Sequence, residues 1–291
     1  MAGAPGDGFA VWRPNVAEET RFFGQLGLGL TVNPLRVDNY VDNLYYADKI
    51  HGNPLSTQFI AYLNAGVEIL NRLSLQAAFP LIAYQAGNPT NNTTANLPQP
   101  SVDLQHAAAG DLRLEGRVIV CRSDARALKL ALSVAGYFPT GNKLSFAGDN
   151  GLGASFGFAA EYDAKHVAVT LNAAYRLRPT VALNEVTVSN EVIYALGAYV
   201  PLRQGIVLLG AEFFGGFGAG GKGPALGGRP PKSNIGDLDT TPLEWLINGK
   251  FFTAKGHVYA SFGAGTRFTG GYAPDFRIVT LVGGSFSQSP R

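Results

Sequence analysis

Apolar and polar residues alternate with a period of two along most of this chain. In segment 22–32, for example, Leu26, Leu28 and Leu30 alternate with glutamine and glycine residues. A period of two indicates a β-strand with one apolar face. Twelve segments show this pattern: 22–32, 57–69, 73–84, 111–121, 127–138, 152–162, 167–177, 192–200, 206–214, 243–251, 257–268 and 276–286.

The connections between these segments alternate in length. Connections after even-numbered segments are short, such as 70–72, whereas those after odd-numbered segments are mostly long, such as 33–56 and 215–242. An even number of strands with short turns on one rim and long loops on the other is typical of outer-membrane barrels. The sequence therefore predicts an all-β fold: a closed antiparallel up-and-down transmembrane β-barrel of about twelve strands over residues 22–286. The short turns would be periplasmic and the long loops extracellular.

A soluble β-sandwich or barrel also alternates, but its apolar face points inward and its polar face meets water. Here the apolar faces carry no charged residue. The opposite faces are otherwise small or uncharged, whereas the wet face of a soluble protein usually holds many more Lys and Glu residues. We therefore favour a confined polar lumen over the soluble alternative. The predicted lumenal charge network is Glu68, Asp111, Arg113, Glu115, Arg117, Lys129, Glu161, Arg176, Glu212, Glu244, Lys250, Arg267 and Arg277.

Composition removes several other classes of protein. The longest apolar run, 77–84, is far shorter than the roughly 20 residues of a transmembrane helix. A net charge of +2 without a basic cluster argues against nucleic acid as a partner. A single cysteine, Cys121, excludes an intramolecular disulfide and a cysteine-based zinc site. Aromatic residues such as Phe59 and Phe286 end the apolar faces, as at the two interfaces of a bilayer.

We assign no catalytic residue, although some barrels are hydrolases. Ser101, Asp103 and His106 share one long loop, and His257 faces the predicted lumen. Their spacing places no base and orienting group beside a nucleophile, as a catalytic triad requires. An outer-membrane hydrolase is therefore the weakest alternative.

We also assign no cofactor and no metal. The glycine-rich segment 216–223 lacks the Ser or Thr after Lys222, and the helix, of a phosphate-binding loop. Solvated loop residues are the simpler explanation for the candidate metal ligands of the first long loop, Asp42, Asp48 and His51.

The two ends of the chain lie outside the predicted barrel. Residues 1–21 form a lead rich in glycine and proline, with Trp12, which we assign to the periplasm, with insertion into the barrel mouth as the alternative. The first seven residues lack the basic and apolar regions of a signal peptide. We therefore expect a mature chain with a new initiating methionine. Residues 287–291 resemble the start of a truncated linker.

Several short motifs carry a family resemblance. Segment 276–286 ends in Phe286 and resembles the C-terminal signal that the barrel-assembly machinery recognises. Segment 270–277 is similar to the one that closes the barrel half of outer membrane protein A-like chains. Arg13-Pro14, 110–113 and 139–141 are similar as well. The resemblance implies a cell outer-membrane location, contact with its lipid and lipopolysaccharide, and peptidoglycan as a partner through a missing C-terminal domain.

Two functions follow from a twelve-stranded barrel, which lies between the side-chain-filled barrels of eight strands and the open ones of sixteen. The favoured hypothesis is a membrane-embedded anchor or scaffold whose lumen is largely closed by ion pairs. The alternative is a narrow diffusion pore for ions or small solutes. Pro80, inside the third segment, predicts a bulge there because proline removes a ladder hydrogen bond.

Overall fold

Twelve long strands form the wall of the molecule. The computed structural model describes residues 3–38, 51–87, 104–123, 127–142, 145, 147–149, 151–183, 186–218, 242–253, 256–269 and 273–287. The wall strands are β1 (Arg21–Asp38), β2 (His51–Ile69), β3 (Leu73–Ala86), β5 (Leu112–Arg122), β6 (Leu128–Phe138), β7 (Gly153–Asp163), β8 (Ala168–Leu177), β11 (Glu191–Leu202), β12 (Val207–Gly218), β13 (Leu243–Phe252), β14 (Val258–Arg267) and β15 (Phe276–Ser287). Three short strands lie between them: β4 (Ala108–Ala109), β9 (Val181–Leu183) and β10 (Val186–Val188).

The sheet closes on itself. Every wall strand pairs antiparallel with its neighbours, and β1 pairs with β15 without interruption from Arg21 opposite Ser287 to Val32 opposite Phe276. Closure leaves no free edge, which in hydrocarbon would cost several kcal/mol for each unpaired backbone group. The predicted closed twelve-stranded barrel is confirmed. Within the described residues, no helix is long and apolar enough to cross a membrane.

The apolar faces point outward. Val282 is 59% exposed and Phe156 is 54% exposed, whereas the carboxyl-bearing Glu68, Glu161 and Glu212 are fully buried. This distribution is the inverse of that in soluble proteins, where charged groups stay at the surface. The soluble alternative is therefore wrong, and the apolar outer surface is the one that meets hydrocarbon.

The first two strands are longer than the sequence predicts. Their pairing continues beyond Val32 to Asp38 opposite His51, but with two register shifts. Asn33 has a positive φ of 50°, and Pro34 follows it. These residues break the period of two, so the sequence pattern ends before the ladder does. The small strands β4, β9 and β10 lie in connections that the sequence predicts as loops.

Pro80 lies within β3 without bending its pairing with β2, where it stands opposite Tyr62. The irregularity of that ladder falls three residues further on, at Ala83. On the other side of β3, pairing with β5 ends at Ala78 and pairing with β4 begins at Leu81. Pro80, which has no N–H to donate, thus occupies the interruption between two partners.

An aromatic pair spans the seam where the barrel closes. The rings of Phe22 and Phe286 stack with centroids 5.2 Å apart. We predict that Phe286→Ala lowers the free energy of unfolding by about 1 kcal/mol more than Phe251→Ala, because a stacked pair adds about that much to burial. Urea titration in lipid vesicles measures the difference. Equal losses in the two variants, which remove similarly exposed rings at the same rim, would contradict a role for the seam.

Candidate functional site

The N-terminal lead lies inside the barrel. We call residues 3–20 the plug. Its Ala4, Asp7, Phe9, Val11 and Val16 are buried among lumenal side chains. The lead is therefore a lumenal segment and not a periplasmic extension, since the lumen supplies partners for both its apolar side chains and its backbone.

Apolar contacts fix the plug at three points around the lumen. Each of three small clusters of buried residues contains one plug residue and residues of the wall. The clusters are Phe9 with Leu246, Tyr259, Val279 and Leu281; Val11 with Ala195 and Tyr199; and Val16 with Ile119 and Ala131.

Glu212 on β12 holds the backbone of the plug. Its Oε1 accepts the N–H of Phe9 at 2.9 Å, and its Oε2 accepts those of Ala10 at 2.6 Å and Val11 at 3.0 Å. Hydrogen bonds to an ionised acceptor are about twice as strong as neutral ones. One buried carboxylate thus compensates three backbone donors that the plug cannot satisfy by itself.

The neighbouring residue of the plug is held by an amide. Asn172 on β8 accepts the Trp12 N–H at 2.8 Å and donates to the Trp12 carbonyl at 2.9 Å. This reciprocal pair extends the attachment of the plug from β12 to β8.

Charged groups of the plug complete ion pairs with the wall. The carboxylate of Asp7 lies 2.7 Å from Arg117, and the guanidinium of Arg13 lies 2.6 Å from Glu161. Lys250 donates to the Pro5 carbonyl at 2.9 Å and to the Asp7 carbonyl. Burial opposes the charge of Arg13, but the Glu161 carboxylate outweighs it and raises the pKa of Arg13 above its ordinary value.

At the rim of the short turns, Glu68 fixes the point where the plug leaves the lumen. It accepts a hydrogen bond from the Ala17 N–H at 3.3 Å and pairs with Arg21 at 2.5 Å. The plug is therefore attached at both its ends and along its length.

At the rim of the long loops, the wall carries pairs that do not touch the plug. Arg176 bridges Asp149 at 3.0 Å and Glu191 at 3.2 Å. Arg178 pairs with the same two carboxylates. Further pairs of this rim are Arg267 with Asp275 at 3.0 Å and Arg277 with Glu244 at 2.9 Å.

Asp111 supports a loop segment at the same rim. Its Oδ1 accepts the Gly141 N–H at 2.9 Å, and its Oδ2 accepts the Asp149 N–H at 2.7 Å. A Cβ at Gly141 or Gly148 would approach the carboxylate within 2.9 Å, so glycine permits this close approach.

The thirteen predicted charges thus divide into three sets. Plug contacts are made by Glu68, Arg117, Glu161, Glu212 and Lys250. Arg113, Glu115 and Lys129 pair with members of that set or with each other. The remaining residues, at the long-loop rim, are Asp111, Arg176, Glu244, Arg267 and Arg277.

Sequence reasoning missed Asp7 and Arg13, which complete the two central pairs. A signal was present, because the lead contains Phe9 and Val11 close to these charges, and apolar residues are rare in a solvated linker. It also missed Asp149, which lies in a loop, and Glu191, which is the first residue of β11 and precedes the predicted segment 192–200.

The two candidate hydrolase histidines, which the structure describes, lie at different rims of the barrel. His257 is exposed in the turn before β14 and His106 is exposed before β4, where its Nδ1 lies 3.1 Å from the Gln85 carbonyl. Ser101, Asp103, Asp42, Asp48 and the side chain of His51 lie outside the described residues, as does most of 216–223.

Two small cavities border the plug, one beside Trp12 and Glu68 and one beside Phe9 and Lys250. Each has room for about one water molecule, with a volume near 10 Å³. In this conformation the plug fills the lumen next to these cavities, and solutes larger than water cannot pass through them.

Known structures with the same fold are outer-membrane channels. An outer membrane channel from Pseudomonas putida F1 matches 94% of this chain and 97% of its own at 14% identity, with a TM-score of 0.64. The NanC porin matches 91% of this chain and 100% of its own at 8% identity, with a TM-score of 0.52. No protein-family model and no curated protein matches the chain. This chain therefore has the fold of an outer-membrane β-barrel, while the resemblance to outer membrane protein A-like chains in particular is not supported.

Proposed function

We propose that the chain is an outer-membrane channel for small solutes, closed in this conformation by its plug. The observation that carries the proposal is that the wall encloses a bore wide enough for a folded-back polypeptide. Phe9 contacts residues of β13, β14 and β15, whereas Val16 contacts residues of β5 and β6 on the opposite side of the barrel. A barrel that serves only as an anchor can fill its lumen with wall side chains, as barrels of eight strands do.

The attachment of the plug suits a segment that can be displaced. Much of it consists of hydrogen bonds and ion pairs, such as those of Glu212, Asn172 and Arg117. Water can replace such partners, at a net cost of about 1 kcal/mol for a neutral hydrogen bond and about 1.5–3 kcal/mol for one to a charged group. The wall left behind would present these polar groups to the lumen, next to the apolar residues of the three clusters.

The two structural neighbours, a channel and a porin, favour the same function. We accordingly place the chain in the outer membrane, in contact with its lipid and lipopolysaccharide, and propose that the barrel-assembly machinery inserts it through the signal ending in Phe286. We also propose that the protein is not an enzyme.

A scaffold is the second candidate. The ion pairs of the lumen, such as Arg13 with Glu161, leave it electrically balanced and filled. The motifs similar to outer membrane protein A-like chains predict that such a barrel anchors a domain that binds peptidoglycan.

Recordings from planar bilayers distinguish these candidates. The double variant Asp7→Asn, Arg13→Gln keeps the net charge and removes both central pairs of the plug. A channel predicts long openings in the variant and rare ones in the unmodified chain. If both proteins resist urea as folded barrels and neither conducts, the scaffold is favoured and the channel is rejected.

A further inference from the structure

A row of uncharged amides lines one side of the lumen. Gln25 on β1 stands directly opposite Asn64 on β2, and Gln76 lies next to them on β3. All three are at least nine-tenths buried. A Cβ at Gly3 of the plug would touch Gln76 at 2.6 Å and Asn64 at 3.7 Å, so the tip of the plug covers the row.

The amides of this row are only partly satisfied within the protein. Gln25 accepts a hydrogen bond from the Tyr259 hydroxyl at 3.0 Å, and Gln76 donates to Glu115. Among the residues that the structure describes, the Gln25 nitrogen, both polar atoms of Asn64 and the Gln76 oxygen have no hydrogen-bond partner. Buried polar groups normally find a partner. These atoms therefore offer donors and acceptors side by side to whatever enters the lumen.

The charged groups of the lumen, unlike the amides of the row, are paired with partners. Each basic group of the wall lies in direct contact with an acidic group or a carbonyl, as in the pair of Lys129 and Glu161 at 3.1 Å. Charges that touch act as a short-range dipole, whereas a transverse field requires opposite charges on separated walls. The plug adds one acidic and one basic group at Asp7 and Arg13, so its displacement leaves the balance unchanged.

The pairs of the wall also persist without the plug. Arg117 keeps Glu115 at 3.1 Å, and Glu161 keeps Lys129. Glu68 keeps Arg21. Glu212 and Lys250, whose partners lie mainly in the plug, would remain as one acidic and one basic group on the adjacent strands β12 and β13. Because these two charges balance, the open lumen would favour neither cations nor anions by net charge, and the amide row would supply uncharged polar groups.

We infer that the channel passes uncharged solutes rich in hydroxyl groups, such as sugars or polyols, and that Gln25, Asn64 and Gln76 bind them in transit. A primary amide presents one donor and one acceptor next to each other, and a hydroxyl group is both donor and acceptor. This inference rests on the proposed channel function.

Three solutes of similar size and hydroxyl content but different charge test the inference. Glucose is neutral, gluconate is an anion and N-methylglucamine is a cation. Swelling of liposomes containing the full chain with Asp7→Asn and Arg13→Gln, which loosens the plug and leaves the net charge of the lumen unchanged, reports entry of each. We expect glucose to enter about threefold faster than either ion, as one hydrogen-bonding or charge difference of about 0.7 kcal/mol would give.

Substitutions in the amide row then test whether its residues cause the preference for neutral solutes. Asn64→Leu with Gln76→Leu should slow glucose entry about threefold to tenfold, the effect of about one hydrogen bond. Conductance in potassium chloride should change less than about twofold, since these residues carry no charge. Ser133→Val on β6 removes a lumenal polar group outside the row and should alter neither the rate of glucose entry nor the conductance.

The possible failures are distinguishable. Faster entry of gluconate or N-methylglucamine, or an unchanged glucose rate in the leucine variant, would overturn the neutral-solute inference while leaving a channel. Absence of flux and conductance in every folded variant would reject the channel itself, and the inference with it.

Discussion

Replacing Glu212 with glutamine is expected to raise the open probability of the barrel in planar bilayers at least about tenfold. The side chain keeps its size, but one of its two acceptor oxygens becomes an NH₂ group. Oε1 accepts Phe9 N–H and the Asn248 side-chain amide, and Oε2 accepts Ala10 and Val11 N–H. In either orientation of the new amide, its NH₂ group therefore points at two groups that are themselves hydrogen-bond donors. Losing two charge-assisted hydrogen bonds at about 1.5–3 kcal/mol each exceeds the 1.4 kcal/mol that a tenfold shift requires.

Glu244→Gln is the matched control. Glu244 lies on β13, also faces the lumen and is paired with Arg277 at 2.9 Å, but it belongs to the long-loop rim rather than to the plug contacts. Its replacement should leave the open probability within about twofold of the unmodified chain, because a partly exposed pair contributes about 1 kcal/mol or less. Equal openings in both variants would show that lumenal charge, and not the hold on the plug, controls conductance.

Periodicity was sufficient to predict the wall of the barrel but not what fills it. Each wall strand alternates between lipid and lumen, so residues such as Val282 and Phe156 carry their orientation in the local pattern. The plug is an irregular segment whose position depends on partners more than 100 residues away, as for Val11 and Glu212. No local pattern encodes such contacts.

The same difference between local patterns and long-range contacts explains which residues of the candidate site the sequence could predict. Sequence alone predicted that Arg117 and Glu161 face a lumen, because their neighbours in each strand are apolar. It could not identify their partners Asp7 and Arg13, since closure of the barrel and insertion of the plug bring them together. The sequence did not single out the amide row, because Gln25, Asn64 and Gln76 lie on three different strands. They also carry no charge that would distinguish them from other uncharged residues that fill the lumen.

Arg117→Leu is expected to cause the largest loss of stability of any single lumenal substitution proposed here. Arg117 lies between two buried carboxylates, Asp7 at 2.7 Å and Glu115 at 3.1 Å, and its guanidinium stacks 4.9 Å from the ring of Trp12. Removing one partner of a buried pair costs about 3–5 kcal/mol, because the remaining charge stays desolvated. Urea unfolding in lipid vesicles, followed by the fluorescence of the two tryptophans, Trp12 in the plug and Trp245 on β13, measures the loss.

A second substitution tests whether the unpaired carboxylate of Asp7 causes this loss of stability. Asp7→Asn in the Arg117→Leu background should recover about 1–2 kcal/mol, since it removes a buried charge but keeps the side chain. Arg277→Leu, which breaks the more exposed pair with Glu244, should cost about 1 kcal/mol or less. If Arg277→Leu destabilises the barrel as much as Arg117→Leu does, or if Asp7→Asn adds a further loss instead of a recovery, the plug is not held by the charge of Arg117. Its attachment would then depend on the apolar contacts of Phe9, Val11 and Val16 and on the hydrogen bonds from Glu212 and Asn172.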